Sequence, residues 1–298
     1  ALPIFTVKAA MEDAPSQARE YKIHVLRKKS VKLTLKADPA DTVITLKDAD
    51  SKKLKAENGV YTLKAEETYS YVAVKAGYVT KKDTISVTEN TEKTITMEKA
   101  PESTRKDVSA AWKNFRNSDD NMGITSAKTP TSEATTYEKW FKKLGSGWGA
   151  APSVQIIVDN SLIVMSANHI YKLDLNTGDI LQTGDMVAAT NFGYTPPTYA
   201  DGMIFAPLAD GRVQAFNAET LESLWVYQDT LKGQSLSPIT YSDGYIYTGF
   251  WNAETKDANY VCIPVTDEDP TNAQEAKEAA WQYTSLGGFY WARSEEHT

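Results

Sequence analysis

Three histidines and one cysteine are the residues of this 298-residue chain with the most to offer acid–base, nucleophilic or soft-metal chemistry. Their spacing offers little. His24 lies on a stretch of alternating apolar and polar residues, and His169 lies at a turn; neither has a Ser or Cys nucleophile or an oxyanion motif near it in the sequence. A structural role is expected of both. His297 falls in the last six residues, which do not read as part of the protein. Cys262 is the single cysteine, which excludes an intrachain disulfide and a cysteine metal cluster. The stretch NSDDNMG (117–123) invites a calcium reading. An EF-hand loop wants Gly at its sixth position and a carboxylate at its twelfth. Counted from Asn117, Gly123 falls seventh and Lys128 twelfth, so an Asx-rich turn is expected instead. No catalytic, cofactor-binding or metal-ligating residue is assigned.

Binding chemistry is better represented. The segments GSGWGAA, NFGYTPP and GGFYWA place aromatic rings next to glycines. Such rings on Gly-hinged loops suit stacking on sugars or on peptide side chains. The candidate ligand-binding residues are Trp148, Phe192, Tyr194, Trp251, Tyr290 and Trp291. The competing use of these rings is packing between neighbouring elements, so the elements that carry the loops decide the matter.

The first hundred residues are β-patterned. VKLTLKA, TVITLKD, GVYTLKA, YSYVAVK, DTISVTE and KTITMEK each alternate apolar and polar residues, the mark of strands with one buried face. Asn58-Gly59, between KLKAE and VYTLKA, predicts a two-residue hairpin turn. Short strands at spacings near ten residues, without a helical period, point to a β-sandwich. Residues 101–110 are polar, contain a Pro and have no period, and are expected to be a linker.

Beyond Trp112 the chain repeats itself. Asp159-Asn160, Asp201-Gly202 and Asp243-Gly244 are spaced by 42 and 42 residues, each between two short apolar runs. The next turn recurs at the same interval, at Asn168, Asp210 and Asn252. A fourth strand is expected to carry Trp140, Leu181, Trp225 and Trp281 in equivalent places. Four strands per period of about 42 residues is the arithmetic of a β-propeller blade, a sheet that buries its faces only by stacking on neighbours. In such a blade the loops from the outer strand to the next inner strand share one face with the second-to-third turns. All three aromatic segments then lie on that face, with the turns at His169, Arg212 and Trp251–Asn252. The acidic TDEDPTNAQEAKEAA (266–280) is expected to be a solvated, helix-prone insertion in the third blade.

Charge is unevenly placed: the first hundred residues carry +4 and the rest −11. The acidic second part argues against nucleic-acid binding, which needs a basic footprint. No run approaches the roughly 18 apolar residues of a membrane span, and ALPIFTVKAA does not read as a signal peptide.

Several stretches resemble known families. DPADTVITLKDADSKKLKAENGVYTLKAEETYSYVAVKAGYVT resembles the PEGA-type and related immunoglobulin-like modules of bacterial surface proteins, through Pro39 to Val43, Gly59-Val60-Tyr61 and Gly77-Tyr78. Before it, Tyr21, Ile23, Val25 and Arg27 resemble the last strand of a cadherin-like bacterial β-sandwich. IYKLDLNTGDIL, with the blade-ending Trp225 and Trp281, resembles the PQQ-like (quinoprotein-dehydrogenase-like) propeller repeat, and AWKNFRNSDDNMGIT resembles the Trp-x-x-Phe-Arg opening before its first blade.

The architecture expected is all-β: residues 1–29 as the end of a cadherin-like sandwich, 30–100 as a PEGA-like immunoglobulin-type sandwich, a linker, and 111–292 as about three four-stranded blades of a truncated propeller. Residues 293–298, RSEEHT, occupy the place of the next inner strand and resemble a translated sequencing adapter. They are expected to be foreign to the protein. The dehydrogenases of the PQQ-like class add an adjacent cysteine pair and a catalytic Asp with calcium ligands. One cysteine cannot make that pair, and bound quinone is not expected.

The resemblances imply a non-enzymatic, exported bacterial surface protein whose propeller offers a protein or carbohydrate ligand its aromatic loop face. The alternatives are a quinoprotein-type oxidoreductase with its active ring in further blades, and an envelope-assembly scaffold.

Overall fold

A computed structural model describes residues 4–11, 13–24, 29–120, 122–190 and 195–290. Within them the chain is all-β and divides into two compact units. The first comprises Ala1–Ala40, Thr45–Val72 and Lys82–Thr96; the second comprises Asp41–Ile44, Ala73–Lys81 and Met97–Thr298.

The first unit opens with an antiparallel pair, β1 (Ile4–Met11) and β2 (Ala14–His24), in register from Ile4↔His24 to Ala9↔Arg19, with a register shift before Met11↔Ala14. Six strands follow: β3 (Ser30–Asp38), β4 (Val43–Lys47), β5 (Val60–Lys64), β6 (Thr68–Val74), β7 (Lys81–Ser86) and β8 (Thr91–Thr96). These are the six alternating stretches of the sequence. They form two three-stranded sheets, β5-β3-β8 and β4-β6-β7, with β3 and β8 parallel. Alternation supplies the buried face, where Leu33, Leu46, Leu63, Tyr71 and Ile95 are fully covered. Asn58 and Gly59 have φ of 50° and 79°, as a two-residue turn of positive φ requires. The turn closes, with Glu57 and Val60 exchanging backbone bonds of 2.9 and 3.0 Å, but KLKAE is not a strand: its other bridge is Lys47↔Lys53, and β5 pairs with β3. A run of lysines around one half-buried Leu54 has too little apolar surface to hold a strand on a sheet.

The second unit is built on three stacked sheets. The first contains β9 (Ala110–Trp112), β10 (Ile156–Val158), β11 (Ser161–Ser166), β12 (His169–Asp174) and β13 (Ile180–Asp185). The second contains β14 (Thr198–Ala200), β15 (Met203–Leu208), β16 (Arg212–Asn217) and β17 (Ser223–Gln228). The third contains β18 (Thr240–Ser242), β19 (Tyr245–Gly249), β20 (Asp257–Pro264) and β22 (Trp281–Leu286), with β21 (Glu275–Lys277) lying between β20 and β22 in the chain. Each sheet is a meander whose first turn has positive φ at both central residues: 48° and 53° at Asp159-Asn160, 51° and 71° at Asp201-Gly202, 50° and 80° at Asp243-Gly244. The 42-residue period is therefore the period of a four-stranded antiparallel sheet. Stacking supplies the core. Ile163, Met165 and Ile170 of the first sheet pack on Tyr199, Ile204 and Phe216 of the second. Phe205, Ala215 and Trp225 on its other face pack on Ile246, Phe250 and Val261 of the third.

Three sequence expectations change here. Residues 101–110 are not a loose linker. The Arg105 guanidinium pairs with Asp267 at 2.8 Å, Val108 N–H donates to the Tyr199 hydroxyl at 2.6 Å, and Ala110 begins β9 on the edge of β10. Trp140 lies on no strand; its indole rests over Gly178 and its Nε1 donates to Leu175 O at 3.1 Å, so it caps the turn between β12 and β13. The acidic insertion is neither helical nor solvated throughout. Its β21 adds parallel to β17, in register Trp225↔Glu275 to Tyr227↔Lys277, and Glu275 and Lys277 are buried. The outer edge of β17 offers unpaired backbone groups, and strand addition satisfies them.

Among the described residues no helix is long and apolar enough to cross a membrane.

Candidate functional site

The loops after each outer strand and the second-to-third turns meet, as the blade geometry requires. Met186 N–H donates to Asn168 O (2.8 Å) and Thr190 N–H to Ala167 O (3.1 Å). In the second blade Ala209 N–H donates to Ala189 O (2.9 Å) and Asp229 N–H to Gly211 O (2.8 Å). In the third blade Gln234 and Trp251 exchange backbone bonds of 2.6 and 2.9 Å, and Phe289 N–H donates to Phe250 O at 2.9 Å. Each loop is thus stitched to the turn of a neighbouring or its own blade. The face is a set of main-chain clamps from which side chains project.

Trp251 and Tyr290 are brought together, ring centroids 5.1 Å apart and planes at 76°. The approach depends on glycine. Gly288 has φ of 58°, and a Cβ there would stand 2.7 Å from Phe250 O and from Ala258 Cβ. Next to Trp251 in the chain, Phe250 N–H donates to Asn259 O at 2.9 Å; there Asp229 is fully buried and accepts from Asn259 Nδ2 (2.8 Å) and Leu231 N–H (3.0 Å), while Asn259 Oδ1 accepts from Thr284 at 2.6 Å. Burial beside Asp229 pushes the Tyr227 hydroxyl far above its ordinary value, so it stays protonated. The turn that carries Trp251 is thus tied to a buried polar network, and its edge-to-face partner Tyr290 is 47% exposed. Such a pair can stack on an apolar or sugar face and donate from a hydroxyl at its rim.

Of the other predicted positions, Trp148 is placed by its main chain, in a 3-10 turn, Trp148–Ala150, whose Ala150 O accepts from Ser166 Oγ at 2.7 Å. Phe192, Tyr194 and Trp291 lie outside the described residues, as do residues 293–298. His169 shares the face, its Nδ1 2.9 Å from Asp185. His24 ends β2 in the other unit. In NSDDNMG, Gly123 N–H and Ser118 N–H both donate to Arg116 O, and Asp119 pairs with Lys113 at 2.5 Å. Among the described residues no three His, Cys, Asp or Glu side chains are grouped to hold a metal ion.

Sequence reasoning missed the aromatic cluster beside the pair. Tyr260 and Trp281 stack at 6.3 Å, Tyr247 lies 6.1 Å from Trp281, and Tyr260 meets Phe289 at 5.2 Å. The signal was present: Tyr247 stands 42 positions after Phe205, which packs on Trp225 in the second blade.

Residues 131–252 match the family model described as "Outer membrane protein assembly factor BamB". No curated protein sequence matches. Among solved structures, a europium-containing methanol dehydrogenase aligns at 20% identity over 47% of this chain and 26% of that one, with a TM-score of 0.34. The quinohemoprotein alcohol dehydrogenase of Comamonas testosteroni aligns at 18% identity over 58% and 27%, TM-score 0.44. BamB from Moraxella catarrhalis aligns at 13% identity over 87% and 76%, TM-score 0.29. The chain spans about a quarter of the length of the two dehydrogenases it aligns with. Residues 131–252, with their 42-residue meanders and stacked sheets, are thus similar to the PQQ-like β-propeller repeats of that family.

Proposed function

We propose that this protein is a non-enzymatic interaction platform of the bacterial cell envelope, exported and displayed at the surface, whose propeller repeats hold another protein on the loop face. The observation that carries the reading is the construction of that face. Its loops are fixed by main-chain bonds and by the buried Asp229–Asn259 network, and among the described residues they present an edge-to-face aromatic pair. The family model matched by residues 131–252 is described as an assembly factor of the outer membrane, which supports an envelope role and a protein partner. The sandwich modules act as a stalk in this reading, and the sugar ligand of the sequence analysis becomes the second choice.

The test is a photo-cross-linking amino acid placed at Tyr290 on the loop face and, separately, at Glu219 in a third-to-fourth turn, each in cells of the source bacterium. Defined protein adducts from Tyr290 alone, in the envelope fraction, are expected. Adducts from both positions alike, or a dye-linked alcohol oxidation by the purified chain with pyrroloquinoline quinone and calcium, would overturn the platform reading.

A further inference from the structure

The insertion in the third blade buries an amine between two carboxyl groups. The Lys277 side chain is 0% exposed, and those of Glu268 and Glu275 are 10% and 11% exposed. Lys277 Nζ lies 2.5 Å from Glu268 Oε1, 3.1 Å from Glu275 Oε1 and 2.6 Å from Thr266 O. The two acids are held differently. Glu275 Oε2 accepts from the backbone N–H of Glu268 (2.8 Å) and of Asp269 (2.7 Å), which fix it as an acceptor facing the amine. Glu268 Oε2 accepts from Thr80 N–H at 2.6 Å, and its Oε1 from the Thr80 hydroxyl at 2.9 Å, all within the second unit. Donors aimed at both oxygens of one carboxyl are what an acyl-transfer centre needs.

We propose that Lys277 and Glu268 condense to an intramolecular isopeptide bond, with Glu275 as the general base. Glu275 takes a proton from Nζ, and Nζ adds to Cδ of Glu268. The negative charge that develops on Oε2 faces Thr80 N–H. The Cδ–Oε1 bond then breaks, and Oε1 leaves as water with the two protons that the ammonium has given up. An ammonium and a carboxylate become an amide and one water, with no other reactant. Two features favour the step here. The reacting groups are held in contact with bulk water excluded, and the product removes two charges whose burial is costly. Lys172, also buried, is a contrast: among the described residues it pairs with a single carboxylate, Asp159, 3.6 Å away and half-exposed. The bond closes residues 268–277 into a ring that includes β21.

The intact mass of the folded full chain decides the matter. The expected value is below the sequence mass by about 18 Da, one water. Trypsin should then fail to cut after Lys277, leaving residues 257–293 as one peptide. Lys277→Arg, Glu268→Ala and Glu275→Gln should each restore the mass of their own sequence, folded or not. A wild-type mass equal to the sequence, with ordinary cleavage at Lys277, overturns the proposal. Loss of water that persists in Glu275→Gln overturns the role given to Glu275.

Discussion

In the second blade Phe205, Ala215 and Trp225 stand side by side across β15, β16 and β17; in the third, Tyr247, Cys262 and Trp281 stand in the same register across β19, β20 and β22. The strands are alike and the ring pairs are spaced alike, 5.7 Å for Phe205–Trp225 and 6.1 Å for Tyr247–Trp281. Their surroundings differ. Trp225 is fully buried against the third sheet and donates from Nε1 to Val265 O at 3.2 Å, whereas Trp281 is 41% exposed. Local sequence therefore makes the row, and the neighbouring sheet makes it a core. In a stack of repeats the stability of a side chain resides largely in the interface it meets.

The comparison can be broken with two substitutions. Trp225→Ala should cost about 3–5 kcal/mol, because a large buried ring leaves a cavity that the stacked sheets cannot fill. Trp281→Ala should cost about 1 kcal/mol or less, as expected at a half-open site. Urea midpoints at constant slope measure both. Equal losses would mean that the third blade's row is as much a core as the second's.

A charged version of the same contrast comes next. Arg105 and Asp267 form an ion pair buried within the second unit, while Lys36 and Glu92 form one in the open on the first. Arg105→Ala should cost about 3 kcal/mol by stranding a buried carboxylate. Lys36→Ala should cost under about 1 kcal/mol. A small loss at Arg105 would return residues 101–110 to the status of a loose linker.

Blades and strands were legible because they are written in local patterns. The 42-residue interval, the Asp-Gly turns and the alternation of β3 to β8 each follow from backbone geometry that one segment can specify. The loop face was legible for the same reason, since it follows from the order of strands in a blade. Trp251 and Tyr290 were foreseen on it; their edge-to-face contact depends on Gly288, whose close approach to Phe250 cannot be seen in a linear reading. Trp140 was misplaced because its aromatic spacing matched the repeat while its partner is a turn. The insertion 266–280 was misread because its acidity suggested solvent. The charges of Glu268, Glu275 and Lys277 are matched to one another, which only the fold reveals.

A smaller effect separates the first turns of the blades. Gly202 has φ of 71°, and a Cβ there would fall 2.6 Å from Lys106 O, a backbone atom of the segment before β9. Gly202→Ala should destabilise by about 1–2 kcal/mol from the left-handed backbone alone, with the clash in addition. Asn160, at the same place in the first blade, already carries a side chain at φ of 53°. Asn160→Gly should then change stability by only a few tenths of a kcal/mol, since Asn tolerates this region well. Thermal melts of the two variants make the comparison. A neutral Gly202→Ala would show that the segment moves aside freely.

The effects of alkali return to the two blades. In the second, burial and the Asp107 carboxylate push the Tyr199 hydroxyl from 10.0 up to about 12. In the third, burial pushes the Cys262 thiol from 9.0 up to about 11, against an opposing hydrogen bond from Tyr247. Both groups hold their protons longer folded than unfolded. Between the unfolded and folded values the native state binds more protons, so stability falls as pH rises. The contribution of Cys262 is complete below pH 9 and lost as pH climbs to about 11; that of Tyr199 is complete below pH 10 and lost by about 12. Melting temperature followed upward from pH 8 should therefore decline first through the thiol's window. Cys262→Ala should flatten the decline between pH 9 and 11, and Tyr199→Phe should flatten only the later part. The same burial should keep the native thiol nearly inert to a disulfide reagent at pH 8, with full reaction on unfolding. A thiol that reacts at once in the native protein would show that the Tyr247–Cys262–Trp281 row is open to solvent on both sides of the ring pair, and the contrast between the blades would be greater than Trp281 alone implies.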